Sequence, residues 1–330
     1  MKNRKKRRII CIGFAVLVLI LVLFFFWKKY ADHSWNMGGQ KEAGAITGSF
    51  SESEKFAENV YMQEGFLSKV EYPENKKAWD RAIARFRYIK DQYLTEEHRI
   101  FLSIIPDKNC FLAAQSGQPV MDYEILESYF ADGADFAEYI KISDLLEKED
   151  YYKTDTHWRQ EKITDVAQRL ARDMDITLSE DYEEHILEQE FYGSYYDKWF
   201  LPIQADTIHY LTNDAMEHCV VYDHQNRKPG TLYDFEQAAK GNAYDVFLSG
   251  PISLLTIENP LGPKGKELIV FRDSFGSSIA PLLISGYSKI TLVDIRYIRP
   301  EILTNFIDFK ACDVLFLYST LVLNNPAAIK

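Results

Sequence analysis

Cysteine is scarce in this chain: four in 330 residues, at Cys11, Cys110, Cys219 and Cys312. No CxxC pair and no Cys/His cluster is present, so no structural zinc site is expected. Cys11 falls inside a long apolar run. The other three can form at most one intrachain disulfide, which excludes a small secreted fold built on disulfides. Internal repeats and low-complexity tracts are also missing. Apolar residues are 47% and charged residues 26% of the chain, which excludes a wholly disordered or collagen-like polymer. Acid is absent from the first 30 residues, which carry a formal +8 against −19 on the rest, within a total of −11. An acidic body of this kind lacks the cationic footprint of a nucleic-acid binder. No nucleic-acid partner is expected.

What the N-terminus does have is a run of 19 uncharged residues from Ile9 to Trp27. As a helix it would cover about 28 Å, close to the hydrocarbon thickness of a bilayer. A basic tail, residues 1–8, precedes it and only Lys28 and Lys29 follow, so the positive-inside rule puts Met1 in the cytoplasm. A cleaved signal peptide would have a shorter apolar core and a small-x-small site. The residues after Trp27 offer no such site, and Cys11 has no apolar run before it to make a lipoprotein signal. The expectation is an uncleaved single-pass anchor over 9–27, a juxtamembrane linker over 28–60, and one extracytoplasmic domain over 61–330.

Within that domain, helical and strand patterns alternate. Helices are expected at 75–94, 123–131, 159–174, 278–287 and 302–307. Strands are expected at 99–105, within 136–146, and at 244–250, 267–271, 289–297 and 313–319. Short, wholly apolar strands separated by helices point to an α/β fold with a mostly parallel sheet between helical layers. Ligands of such sheets bind at the carboxyl ends of the strands, which is where reactive side chains deserve a search.

Four segments stand out there. ELIVF runs into RDSFGSS, placing Ser274 on a strand-to-helix turn beside backbone N–H groups able to hold an oxyanion. Ser274 is equally suited to capping the helix. TDTHW offers Asp155 and His157, an acid and a base two residues apart, as a serine nucleophile requires. An aspartate N-cap and a surface histidine would read the same way, while a metal role would need further ligands at a recognisable spacing. In IIPDKN, Asn109 could donate to an oxyanion and Lys108 could bind an anionic substrate, or the segment could be an ordinary turn after Pro106. In VDIRY, Arg296 could bind a carboxylate or sugar, or pair with Asp294. Tyr151, Tyr152, Trp158, Tyr195, Tyr196 and Trp199 lie near these motifs and would suit a sugar cleft or a core.

Taken in order, IIPDKN, YYKTDTHW, FYGSYYDK, IVFRDSFGSSIAPLL and LVDIRYI resemble the DHHW-type branch of the SGNH-hydrolase-like families, related to the alginate O-acetylation proteins. The resemblance spans about residues 85–320. It implies an SGNH-like sandwich in which Ser274 is the acyl-accepting nucleophile, His157 its base and Asp155 the carboxylate orienting the base. Beside that triad, Asn109, Lys108, Arg296 and Trp158 are the candidate oxyanion or substrate contacts on their own chemistry. The Asp-x-His pair precedes the serine, as in the permuted alginate-type arrangement. Two positions depart from the pattern: Thr156 replaces the second histidine, and Arg272 stands where a glycine leads the serine block. The implied function is transfer of an acyl group, acetyl in the first instance, to hydroxyls of a cell-surface or exported polysaccharide. It needs no cofactor, and a multi-spanning membrane acyltransferase would supply the acyl group. An esterase with the same triad, a non-catalytic glycan-binding scaffold and a metal-dependent hydrolase remain the alternatives.

Overall fold

Three apolar strands set the architecture. RIFLSII, ELIVFR and DVLFLYS are buried along nearly their whole length on both faces, which only a covered, central sheet can satisfy. The computed structural model describes residues 55–56, 59–196 and 202–329. The basic tail, the apolar run and most of the juxtamembrane segment therefore lie outside the described residues. Among the described residues no helix is long and apolar enough to cross a membrane.

The fold begins with a small antiparallel sheet of β1 (Lys55–Phe56), β2 (Val60–Gln63) and β3 (Phe66–Lys69). Pairing thus starts at Lys55, ahead of the expected boundary near residue 60. Helix α1 (Lys76–Tyr93) follows, capped by Asn75, whose side chain accepts from the Ala78 N–H at 3.1 Å. Its buried stripe of Trp79, Ala82, Ile83, Phe86 and Ile89 has helical spacing. Next come β4 (Arg99–Ile105), α2 (Asn109–Ser116), α3 (Tyr123–Gly133), the short β5 (Glu138–Tyr139) and α4 (Thr164–Asp173). A hairpin-like pair, β6 (Glu183–Ile186) and β7 (His209–Thr212), stands apart from the main sheet. The remaining strands are β8 (Val220–Asp223), β9 (Lys228–Gly230), β10 (Leu254–Glu258), β11 (Glu267–Arg272), β12 (Lys289–Val293) and β13 (Asp313–Ser319).

The main sheet has the order β5-β4-β13-β11-β12-β10-β8-β9. The first five strands are parallel, and the last three add on antiparallel. This is a mixed α/β fold with a large, mostly parallel sheet. Alternation along the strands splits the interior in two. Leu315 and Leu317 join one core with Val166 and Leu170 of α4. Phe316 and Tyr318 join the other with Trp79 and Phe86 of α1 and Phe130 of α3. Phe86 stacks against Tyr318 with ring centroids 5.2 Å apart.

One expected strand is absent. YDVFLSG forms a 3-10 turn at Ala243–Val246 and then a loop in which Leu248, Ser249 and Gly250 have φ of 55°, 60° and 80°. Three successive left-handed residues cannot continue a ladder. The apolar letters of this segment fill a satellite core, with Tyr244, Val246 and Phe247 packed on Tyr152 and Phe191. Two shorter revisions concern helices. The segment 278–287 is a single α-turn, Gly276–Ile279, continued by a 3-10 helix, Ala280–Gly286, and 302–307 corresponds to a 3-10 helix at Pro300–Asn305. Cys110, Cys219 and Cys312 are free thiols.

Candidate active site

The carboxyl ends of β4, β11, β12 and β13 lie side by side, and three of the singled-out segments begin there. After β11, Asp273 fixes the turn. Its Oδ1 accepts from the Phe275 N–H at 3.0 Å, and its Oδ2 accepts from the Ser319 N–H and hydroxyl at the end of β13, both at 2.7 Å. This clamp presents Ser274, half-buried, at the top of the sheet. A β-carbon on Gly276 would meet Arg272 Cβ at 2.7 Å, so glycine is what lets the turn sit down on the strand. Ser274 is not a cap: its hydroxyl lies 2.7 Å from His157 Nε2. Its backbone N–H has no partner among the described residues, while those of Phe275 and Gly276 are taken up by Asp273.

His157 and Asp155 come from a loop closed at its base by the Tyr151–Trp158 bridge, with the Tyr152 N–H donating to the His157 carbonyl at 3.1 Å. Asp155 Oδ1 accepts from the His157 N–H at 3.0 Å and bonds His157 Nδ1 at 2.5 Å. Its Oδ2 accepts from the Ser194 N–H at 2.7 Å. The hydroxyl, imidazole and carboxylate therefore form one continuous hydrogen-bonded row. Such a row lets an imidazole take the serine proton while the carboxylate steadies the resulting imidazolium.

Electrostatics fit that role. Complete burial pushes the Asp155 carboxyl upward, but His157 and the two backbone N–H donors outweigh it and hold the group well below the usual carboxylate range. A depressed folded-state pKa contributes stability that is fully present above the unfolded value, about 3.9. That stability is lost as pH falls through the folded value. The urea midpoint of the wild type should therefore exceed that of Asp155→Asn by a margin that shrinks as pH is lowered from about 6 to about 3. A margin that grew on acidification would contradict the assignment.

Several contacts hold the row that no local pattern announces. The His157 ring lies flat on Tyr244, centroids 3.8 Å apart and 8° from parallel. The Tyr244 hydroxyl and Trp158 Nε1 each meet Ser278 Oγ at 2.9 Å. Asp206 binds the other side of the loop, accepting from the Thr154 N–H at 2.7 Å and its hydroxyl at 2.6 Å. The glycine of FYGSYYDK is placed where a β-carbon would lie 2.1 Å from Asp155 Cβ. FYGSYYDK was visible as a motif, but nothing in its letters says which residue it touches. Thr156, where the second histidine would stand, accepts from the Tyr195 hydroxyl at 3.1 Å.

Four expected contact residues are not brought to the reacting atoms. Trp158 is fully buried, and its indole N–H donates to the Phe275 carbonyl at 3.1 Å and to Ser278, so it joins the two loops beneath the site. Lys108 is 2% exposed, with its ammonium turned inward onto the carbonyls of Tyr152, Lys153 and Asp155, away from any anionic ligand. Asn109 is sealed in the interior, its Oδ1 accepting from the Tyr61 hydroxyl at 2.7 Å and its Nδ2 unpartnered and without solvent access, so it reaches no oxyanion in this arrangement. Arg296 pairs with Asp294 through Nε and Nη2, at 2.9 and 2.6 Å. Arg272 is also interior, its Nη1 donating to the Asp273 carbonyl at 3.2 Å. Tyr151 and Tyr152 are core residues, and Trp199 lies outside the described residues. Among the described residues no group of three or more His, Cys, Asp or Glu is placed to hold a metal ion.

By sequence, no family model and no curated protein matches the chain. Solved structures do. A DHHW family protein from Eubacterium siraeum superposes with a TM-score of 0.64 at 20% identity, covering 82% of this chain and 92% of that one. The chain has the fold of a DHHW protein. Bacillus cereus PatB1 superposes on it with a TM-score of 0.60 at 18% identity, covering 82% of this chain and 99% of that one. The O-acetyltransferase domain of Pseudomonas putida AlgJ gives 0.50 at 13% identity, over 81% and 92% of the two chains. These neighbours agree with the family suggested by the five ordered motifs.

Proposed function

We propose that this domain is an acyltransferase that moves an acyl group, acetyl in the first instance, onto hydroxyls of a cell-surface or exported polysaccharide. The observation that carries the reading is the row from Ser274 Oγ through His157 to Asp155, with contacts of 2.7 and 2.5 Å. In the first half-reaction His157 Nε2 takes the Ser274 proton as Oγ adds to the donor's carbonyl. The Ser274 N–H, without a partner among the described residues, donates to the oxyanion. Collapse breaks the bond to the donor's leaving group, which takes the proton from His157. In the second, His157 deprotonates an acceptor hydroxyl, which attacks the acyl-serine. The serine oxygen leaves and recovers a proton from His157.

Membership of the fold group that includes an O-acetyltransferase domain supports transfer over hydrolysis. PatB1 has been captured with a sulfonyl adduct, a modification that reports a reactive nucleophile. The apolar run Ile9–Trp27 would anchor the domain outside the membrane, where a multi-spanning acyltransferase would deliver acyl groups made inside.

The test is a burst assay with p-nitrophenyl acetate on the membrane-free chain. A rapid release of nitrophenol, stoichiometric with enzyme and absent in Ser274→Ala, is expected, with turnover rising when a glycan acceptor is added. Turnover indifferent to every acceptor would make the protein an esterase. A burst unchanged in Ser274→Ala would remove the catalytic reading and leave a scaffold.

A further inference from the structure

The Lys108 ammonium is buried against three backbone carbonyls, at 2.6 Å from Tyr152, 3.3 Å from Lys153 and 2.7 Å from Asp155. These carbonyls belong to the loop that carries both Asp155 and His157. An ammonium has three N–H donors for three acceptors; a neutral amine has two and turns a lone pair toward the third oxygen. We propose that Lys108 is a positioning residue of the triad, holding the Asp155–His157 loop in register with Ser274 only while its side chain is protonated. The proposal rests on the function proposed above and adds a control point to the same site.

The surroundings make the clasp specific. Lys108 stands at the end of β4 and enters α2, so it ties a rigid strand to an irregular loop. The rings of Phe66 and Tyr195 lie 5.9 and 5.3 Å from Nζ. The Leu67 N–H of β3 donates to the Lys153 carbonyl at 2.7 Å, so the β2–β3 hairpin closes over the clasp from the N-terminal side. Asp155, Asp206 and Asp107 are the charged groups facing the ammonium, and each favours its protonated form. Burial opposes them more strongly and brings its pKa down to about 7. Deprotonation therefore falls within reach of ordinary working pH, and it loosens the loop rather than the fold.

Four measurements test this on the full chain in detergent. The single-turnover acylation rate of the wild type should fall about fiftyfold between pH 7 and about pH 9, as the protonated fraction drops from about one half to about one hundredth. Lys108→Arg, which stays charged, should retain on the order of a tenth or more of the pH 7 rate and show no fall over that range. Lys108→Met should lower kcat on the order of 10²-fold with KM for p-nitrophenyl acetate little changed, as expected when geometry rather than binding is lost. Nuclear magnetic resonance of 13Cε-lysine in Ser274→Ala protein removes the dependence on activity and on Lys108 variants. One lysine should titrate roughly three units below the others, whose usual value is about 10.4. A wild-type burst that needs Ser274 but shows the same alkaline fall in Lys108→Arg, or a spectrum in which every lysine titrates above about pH 9, overturns the inference and leaves the acyltransferase reading standing. A burst that persists in Ser274→Ala overturns both.

Discussion

Replacing His157 with alanine is expected to slow acylation of the protein by roughly 10²–10⁴-fold, the usual worth of a positioned base. The effect is large because, among the described residues, Ser274 has no other proton acceptor in contact: its Oγ meets His157 Nε2 at 2.7 Å. The fold should survive, since the imidazole sits on top of Tyr244 and is not a strut of either main core. Added imidazole can enter the vacated space over the Tyr244 ring, so it should restore part of the rate. Circular dichroism and a burst assay with and without imidazole check both points. A His157→Ala rate within about tenfold of the wild type would show that this ring is not the base.

Gly193→Ala should disturb the triad directly through one added methyl group. The added carbon would lie 2.1 Å from Asp155 Cβ, 2.5 Å from its Cα and 2.5 Å from its Oδ2. Non-bonded carbons do not approach so closely, and Asp155 is pinned from its other side by its bonds to His157. Either the 191–196 segment or the Asp155 loop must move. Overpacking of this kind costs about 1–3 kcal/mol, and a displacement near 1 Å at a catalytic group costs about 10²-fold in rate. The expected result is a lowered thermal midpoint together with a loss of about 10²-fold in kcat/KM. A variant with unchanged rate would mean that Asp155 does not need its present place.

Much of the frame was legible because it rests on local chemistry. The apolar-rich runs at 99–105, 267–271 and 313–319 read as central strands, and the stripe from Trp79 to Ile89 as one face of a helix. The three triad residues also stood out, because an acid two before a base and a serine at a strand end are the groups nucleophilic catalysis needs, and the order of the five motifs told them from caps and surface residues. What misled was the destiny of polar side chains near the site. Lys108, Asn109, Trp158 and Arg296 look like ligand-binding groups, yet each satisfies a buried partner far along the chain or on the same turn. Tyr244 was unreadable for the opposite reason: it supports His157 from 87 residues away, out of a segment whose letters resemble a strand. Tertiary contacts of this kind override local preference. The antiparallel strands β8, β9 and β10 were missed as well: β8 and β9 are short and largely exposed at the edge of the sheet, and β10, though mostly buried, is only five residues long.

The most direct measurement is mass spectrometry of the membrane-free chain, quenched in acid within seconds of mixing with p-nitrophenyl acetate and digested to peptides. The account predicts one added acetyl group, located on Ser274, absent from Ser274→Ala and removed from the wild type faster when a glycan acceptor is present. Acetyl found only on lysines, or on the serine peptide of a protein lacking His157 at the same rate as in the wild type, would contradict it.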